Sequence, residues 1–244
     1  MLDEDVVSVY EDRWGASTRV VQVRPHLWRE LGPTLAEKAV LEIGPGLRPS
    51  APLSSAYFVE TSPAAVGTLG RAGARAVQGS GAALPFRAGS FDAVLAFEIL
   101  EHVGDDQQVL DEIARVLRPP GFVAVSVPLH TALWSELDEA CAHVRRYEPE
   151  ELWGKLREAG MEPLLYQLHG SFRRAAFARA RRTLLESSPR ASNFLLQTVV
   201  FPVIRSWHGL FGEYRWSDAR EPIENGGAGV TILATLDPQR GSAT

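Results

Sequence analysis

The fold class this sequence predicts is α/β: a seven-stranded, mostly parallel sheet with helices on both faces and a helical insertion before the last strand. Three observations carry that prediction. Seven short apolar runs recur along the chain, and helical segments with recognisable caps separate most of them. The first run, Ala39 to Ile43, ends directly at a Gly-Pro-Gly turn, the signature of a buried parallel strand bounded by breakers.

The elements follow in order. Residues 1–38 form an N-terminal segment in which Val6, Val7, Tyr10 and Trp14, then Val20, Val21, Val23, Leu27 and Leu31, recur at helical spacing, so two short helices are expected. Residues 39–170 form the core unit. After the first strand its apolar runs lie at Ala56 to Val59, Ala74 to Val77, Phe91 to Phe97, Phe122 to Val127 and Pro163 to Leu168. Ser62-Pro63 opens one helix, Asp105-Asp106 a second that stops before Pro119, and Glu148-Pro149 a third that ends at Gly160. Residues 171–228 read as a helical insertion with apolar spacing over Phe172 to Leu185 and Ser192 to Phe211. Residues 229–244 hold the last strand, Gly229 to Leu236, and a polar tail.

Composition narrows the function classes. A net charge of −5 and a pI near 5.7 argue against nucleic acid as a partner, because phosphate-backbone binding needs a net basic footprint. Cys141 is the single cysteine, so an intramolecular disulfide and a cysteine-based metal cluster within one chain are both excluded, and no metal ligands are assigned. The first residues, Met-Leu-Asp-Glu-Asp, are acidic where a secretory signal would be basic and then apolar, and a cytoplasmic location is expected. The longest apolar stretch, Phe194 to Ile204, is interrupted by Gln197 and Pro202 and falls short of the roughly 20 residues that span a bilayer.

The chemistry concentrates at strand ends. Glycines at Gly44 and Gly46 let backbone N–H groups approach a ligand closely, although the same pattern also serves as a mere tight turn. Pro49 stands where a dinucleotide fingerprint needs its third glycine, which argues against a nicotinamide oxidoreductase. Glu60 ends the second strand, where a doubly wound fold places a carboxylate beside a nucleotide ribose. Beyond these residues, the segments VLEIGPGLRP, YFVETSPAAV, ALPFRAGSFDAVLAFEILEHV and DEIARVLRPPGFVAVSVP occur in this order. Through them the chain resembles the class I S-adenosylmethionine-dependent methyltransferases of the small-molecule branch, which have a Rossmann-like core. The resemblance runs from about Ala39 to Leu168.

That resemblance implies S-adenosylmethionine as cofactor. Glu42 and the backbone of Gly44, Pro45 and Gly46 would hold its methionine end, and Glu60, with Thr61 beside it, the ribose hydroxyls. Ser80, Gly81 and Ala82 would line the adenine, and Phe97 and Glu98 would border the methionine part. Two departures stand out. Many relatives carry Asp where Ser80 stands, and only 12 residues, Gly44 to Ser55, form a first crossover that usually contains a full helix. Arg118-Pro119-Pro120-Gly121 resembles the family's Arg-Pro-Gly-Gly turn and is read as structural.

On the acceptor side, His130 and His143 are candidate bases, and each is equally a candidate for structural hydrogen bonding. His102 reads as structural or cofactor-adjacent. Arg146 and Tyr147 are candidate substrate-binding residues, while the rival reading for Arg145 and Arg146 is ion pairing with Glu148, Glu150 and Glu151. The insertion carries seven arginines, no lysine and one acid between Ser171 and Arg205, so it is +6 against −11 for the remainder. Such a basic amphipathic unit can lid a small-molecule or lipid-linked acceptor, contact a membrane peripherally over 171–211, or serve a homodimer interface. The expected function is methyl transfer to a small-molecule, saccharide or lipid-linked acceptor; the alternative is a non-catalytic S-adenosylmethionine-binding module.

Overall fold

The structure, a computed structural model, describes residues 20–21, 25–169, 216–223 and 227–237. The helix expected over Val6 to Trp14 and the basic stretch 171–211 lie outside the described residues. Strands β1 (Val40–Ile43), β2 (Tyr57–Glu60), β3 (Arg75–Gln78), β4 (Phe91–Phe97), β5 (Leu117–Pro128), β6 (Met161–His169), β7 (Ser217–Asp218) and β8 (Gly229–Leu236) form one sheet in the order β3-β2-β1-β4-β5-β8-β6-β7. The first five in sequence pair in parallel, while β8 runs antiparallel to both neighbours, β5 and β6. The sheet has eight strands where seven apolar runs were legible. The additional one, β7, is two residues long at the sheet edge, too short to carry a periodic signal.

Helices α1 (Pro25–Leu35), α2 (Pro63–Arg71), α3 (Asp106–Val116), α4 (Glu136–Ala140) and α5 (Pro149–Glu158) accompany the sheet. Local chemistry sets their ends. Ser62 accepts from the Ala65 N–H at 3.1 Å with Pro63 behind it, opening α2, and Asp105 accepts from the Gln108 N–H at 3.0 Å, opening α3. Proline at the first position opens α5, whose preceding Glu148 makes no cap bond because its carboxylate is held by Thr131. The crossover from Gly44 to Ser55 contains turns and no helix, as its length and prolines predict.

Side-chain alternation along the central strands divides the core. Leu41 and Ile43 of β1, Val94 and Ala96 of β4, and Val123 and Val125 of β5 pack on one face with Val109, Leu110 and Ile113 of α3 and Leu152 and Leu156 of α5. Val40, Ala93, Leu95, Phe97 and Ala124 point the other way, onto Phe58 and the Leu35 end of α1. Both faces of β1 and β4 are therefore dry, which is why these strands read as continuous apolar runs. Burial of each such leucine contributes about 1.5–3 kcal/mol. Among the described residues no helix is long and apolar enough to cross a membrane.

A polar tie crosses the packed face between α3 and α5. Asp106, buried at the start of α3, accepts from the Tyr147 hydroxyl at 2.7 Å and from Lys155 Nζ at 3.0 Å, and pairs with Arg145 at 3.0 Å. Burial alone would raise its carboxyl; the bonds from Tyr147 and Lys155 and the two cations outweigh that, and the net effect is downward. A lowered folded pKa means its stabilising contribution is complete above the ordinary carboxylate range and is lost as pH falls through and below it. Tyr147→Phe, which removes one bond to a charged acceptor, is expected to destabilise the protein by about 1.5–3 kcal/mol, read from urea unfolding at pH 7. A loss under about 0.5 kcal/mol would show that Lys155 and Arg145 satisfy Asp106 without it.

Candidate active site

The order in which strands are added reverses between the parallel neighbours β1 and β4, and a crevice opens outside their carboxyl ends, where ligands bind in open α/β sheets. The sequence places unusual backbone there. Gly44 and Gly46 adopt φ of +62° and +53° just past β1. A Cβ on Gly44 would overlap the Ile99 Cδ1 atom, so glycine is required for conformation and for space. Across the crevice Glu98, just past β4, sits at φ +57°, a costly conformation for a residue with a side chain. It is fixed by its N–H donating to the Ser126 carbonyl at 2.9 Å and by its Oε1 accepting from the Ser126 hydroxyl at 2.6 Å.

Two buried carboxylates organise the loop. Glu42 accepts from the N–H groups of Ser50 and Ala51, with distances of 2.8 to 3.0 Å. Glu60, 5% exposed, accepts from the Gly46 N–H at 2.8 Å through Oε2, and from the Ser62 N–H at 3.0 Å and the Thr61 hydroxyl at 3.2 Å through Oε1. Each carboxylate oxygen has two acceptor lone pairs, so Oε2 can hold the loop and still accept from a ligand hydroxyl. Ser80 folds back on itself, its hydroxyl accepting from the Ala82 N–H at 3.2 Å, and Gly81 lies against Ile43 and Val109, where a Cβ would come within 3.3–3.4 Å. Glu42, Gly44, Pro45, Gly46, Glu60, Thr61, Phe97 and Glu98 thus stand at the carboxyl ends of β1, β2 and β4, with Ser80, Gly81 and Ala82 in the turn after β3.

The acceptor-side candidates separate. His130, at φ +63° after β5, has Nδ1 3.4 Å from Glu148 Oε2, and Glu148 also accepts from the Thr131 N–H and hydroxyl at 2.9 and 2.7 Å. Those Thr131 bonds, then His130, hold the Glu148 carboxyl below its ordinary range. His143 pairs through Nδ1 with Asp138 Oδ1 at 2.9 Å and packs edge-on against His102, ring centroids 4.7 Å apart. Asp138 is buried and also accepts from Arg146 Nε and Nη2 at 2.9 and 3.0 Å and from the Ser135 N–H and hydroxyl at 2.8 Å. Burial pushes this carboxyl up, yet the bonds from Arg146, Ser135 and His143 prevail and lower it.

Arg146 and Tyr147 require correction as substrate-binding residues. Tyr147 is fully buried with its hydroxyl on Asp106, and the Arg146 guanidinium is occupied by Asp138 and the Leu129 carbonyl, so neither presents its polar group to an acceptor. Ion pairing of Arg145 and Arg146 is observed, but with Asp106 and Asp138 instead of the neighbouring glutamates. Sequence reasoning missed Asp138 as the hub of this segment and Glu101 as a neighbour of His143. The only local trace of the former was an acid five residues before a histidine.

Residues 41–125, from β1 into β5, match the family model of a methyltransferase domain. That region is a methyltransferase domain. An uncharacterised methyltransferase of Mycolicibacterium gilvum is 33% identical over 135 residues, covering 51% of this chain and 48% of the relative. A 27-O-demethylrifamycin SV methyltransferase of Amycolatopsis mediterranei is 36% identical over 88 residues, covering 33% of this chain and 32% of its own length. The chain thus spans about half the length of the first and a third of the second. Among solved structures, a Thermotoga maritima S-adenosylmethionine-dependent methyltransferase described as a possible histamine N-methyltransferase aligns over 96% of this chain and 94% of its own, with TM-score 0.58 and 19% identity. One from Methanosarcina mazei aligns over 88% and 99%, with TM-score 0.54 and 13% identity, and at these identities the likeness is one of fold.

S-adenosylmethionine is the cofactor of the methyltransferase domain, and the donor set fits it. A diol needs a fixed carboxylate, which Glu60 supplies, and a charged amino acid end needs backbone dipoles and acids, which the Gly44–Gly46 turn and Glu98 supply. Glu60→Gln is expected to weaken S-adenosylmethionine binding by about 1.5–3 kcal/mol, roughly ten- to a hundredfold in Kd by titration calorimetry. Unchanged affinity would remove Glu60 from the ribose site and leave it a loop anchor.

Proposed function

We propose that this chain transfers the methyl group of S-adenosylmethionine to a small-molecule, saccharide or lipid-linked acceptor docked at the carboxyl edge of β4 and β5. The convergence of Gly44, Gly46, Glu60 and Glu98 on the crevice between β1 and β4 carries the reading, because strained and glycine-dependent positions there share a ligand-accessible edge. The named relative that acts on 27-O-demethylrifamycin SV supports an acceptor of small-molecule size.

Methyl transfer is an in-line displacement at the sulfonium methyl, and the protein's part is to hold acceptor and donor atoms at near-attack distance with the cofactor fixed. An acceptor protonated at neutral pH must also lose its proton, and His130, oriented by Glu148 and only partly covered, is the candidate base. The net charge and the match to a small-molecule enzyme favour a non-nucleic-acid acceptor.

Incubation of the purified chain with methyl-labelled S-adenosylmethionine and fractionated metabolite extract, followed by mass identification of the labelled product, tests the proposal. A labelled product is expected, and His130→Gln should lower its rate about a hundredfold at unchanged cofactor affinity. Tight cofactor binding without any labelled product would instead make the chain a non-catalytic binding module.

A further inference from the structure

Beyond the cofactor crevice, Glu101, His102 and His143 form a cluster in which one ligating atom of each lies within 4.8 Å of the other two. We propose that this cluster binds a divalent first-row transition cation, and that the ion's open coordination positions face the acceptor. The inference rests on the methyltransferase reading for its role, but not for binding itself.

The geometry of the cluster and the Nδ1 partners of the two imidazoles carry it. His102 Nδ1 lies 3.3 Å from the Ala142 carbonyl oxygen, which can only accept, so that nitrogen bears the proton. His143 Nδ1 lies 2.9 Å from Asp138 Oδ1, and Asp138 is held as a carboxylate by Arg146 and Ser135, so here too Nδ1 is the donor. With Nδ1 donating in each ring, Nε2 is the nitrogen through which each imidazole would bind a metal. His102 Nε2 stands 3.9 Å from Glu101 Oε1, a separation that a cation held between them would bridge. Metal-bound histidines characteristically donate the other ring N–H to a carboxylate or a backbone carbonyl, the two partners found here.

The protein fixes the cluster from both sides. Glu101 and His102 stand on the short 3-10 turn Leu100–His102 that follows β4, while His143 arrives on a segment tied back by the Val144 N–H to the Glu101 carbonyl at 2.8 Å and by Arg145 to the Val103 and Gly104 carbonyls at 3.1 and 2.7 Å. Ala142, whose carbonyl orients His102, takes the left-handed conformation at φ +56°. Glu101 is fully buried, and His143 is 13% exposed, which leaves an entry path on the imidazole side. Ligands on an ion with bonds of about 2.0–2.2 Å lie about 3.0–3.4 Å apart, so the cluster closes by roughly 1 Å on binding.

Two imidazoles and a carboxylate suit zinc, iron, manganese or cobalt and leave positions for exogenous oxygen. Because the cluster lies one turn beyond Glu98, that oxygen would be the acceptor's. On coordination the acceptor hydroxyl would release its proton, to His130 as the base, more readily. The oxyanion then forms the new O–CH3 bond while the breaking S–CH3 pair stays on sulfur, leaving S-adenosylhomocysteine.

The test is titration of the full chain, stripped by chelator, with cobalt(II), followed by its visible ligand-field absorption, with S-adenosylmethionine affinity measured on the same sample. Saturation at one equivalent is expected, with displacement by zinc. His143→Ala and Glu101→Gln should each weaken cobalt binding at least tenfold; if Glu101→Gln fails to fold, as judged by circular dichroism, His143→Ala decides. Asp138→Asn, which touches no metal position, should weaken it about ten- to a hundredfold as a positioning residue. The proposal falls if folded, cofactor-competent protein shows no saturable cobalt spectrum, or if His143→Ala binds cobalt as the unmodified chain does. Cobalt binding without S-adenosylmethionine binding would uphold the metal site and remove the methyltransferase reading.

Discussion

Two carboxylates buried at the ends of adjacent strands constrain everything at the cofactor edge. A buried carboxylate without hydrogen bonds would be prohibitive, and Glu42 and Glu60 are satisfied mainly by backbone N–H groups of the connection between β1 and β2 and of the turn that opens α2. The 12-residue crossover, too short and too rich in proline for a full helix, is ordered by these two anchors instead. Because Gly46 N–H donates to the residue that would meet the ribose, the conformation of the glycine turn and the position of the cofactor carboxylate are set by the same bond.

On the other side of the sheet's carboxyl edge, Asp106 and Asp138 perform the corresponding task for residues 135–147. Each collects a cation and at least one neutral donor, and together they fix where Arg145, Arg146 and Tyr147 lie. Such buried ion pairs add little net stability over apolar packing, but breaking one partner leaves an uncompensated charge, so they specify geometry. The segment they position delivers His143 to the end of β4, where no local feature of its own sequence would send it.

The fold was largely legible because its signals are local. Apolar runs, Ser62-Pro63, Asp105-Asp106 and the Gly44 turn each act within a few residues, and the same is true of Glu60 at a strand end. The acceptor side was less legible because its contacts are not local. Tyr147 beside two arginines reads as a polar surface residue until Asp106, 41 positions earlier, accepts its hydroxyl. Likewise His102 and His143 gain significance only from meeting across 41 positions, and the Ser80 hydroxyl is engaged by its own turn. The short β7 left no pattern to read.

The placement of β8 has a consequence for biosynthesis. It is last in sequence yet lies between β5 and β6, supplying hydrogen-bond partners to both over nearly its whole length. A nascent chain that has emerged only as far as residue 228 therefore presents β5 as an open parallel edge and β6 without its principal partner. Translation passes β6 some 60 residues before β8 appears, so during that interval the growing polypeptide displays a template for intermolecular pairing that β8 later closes.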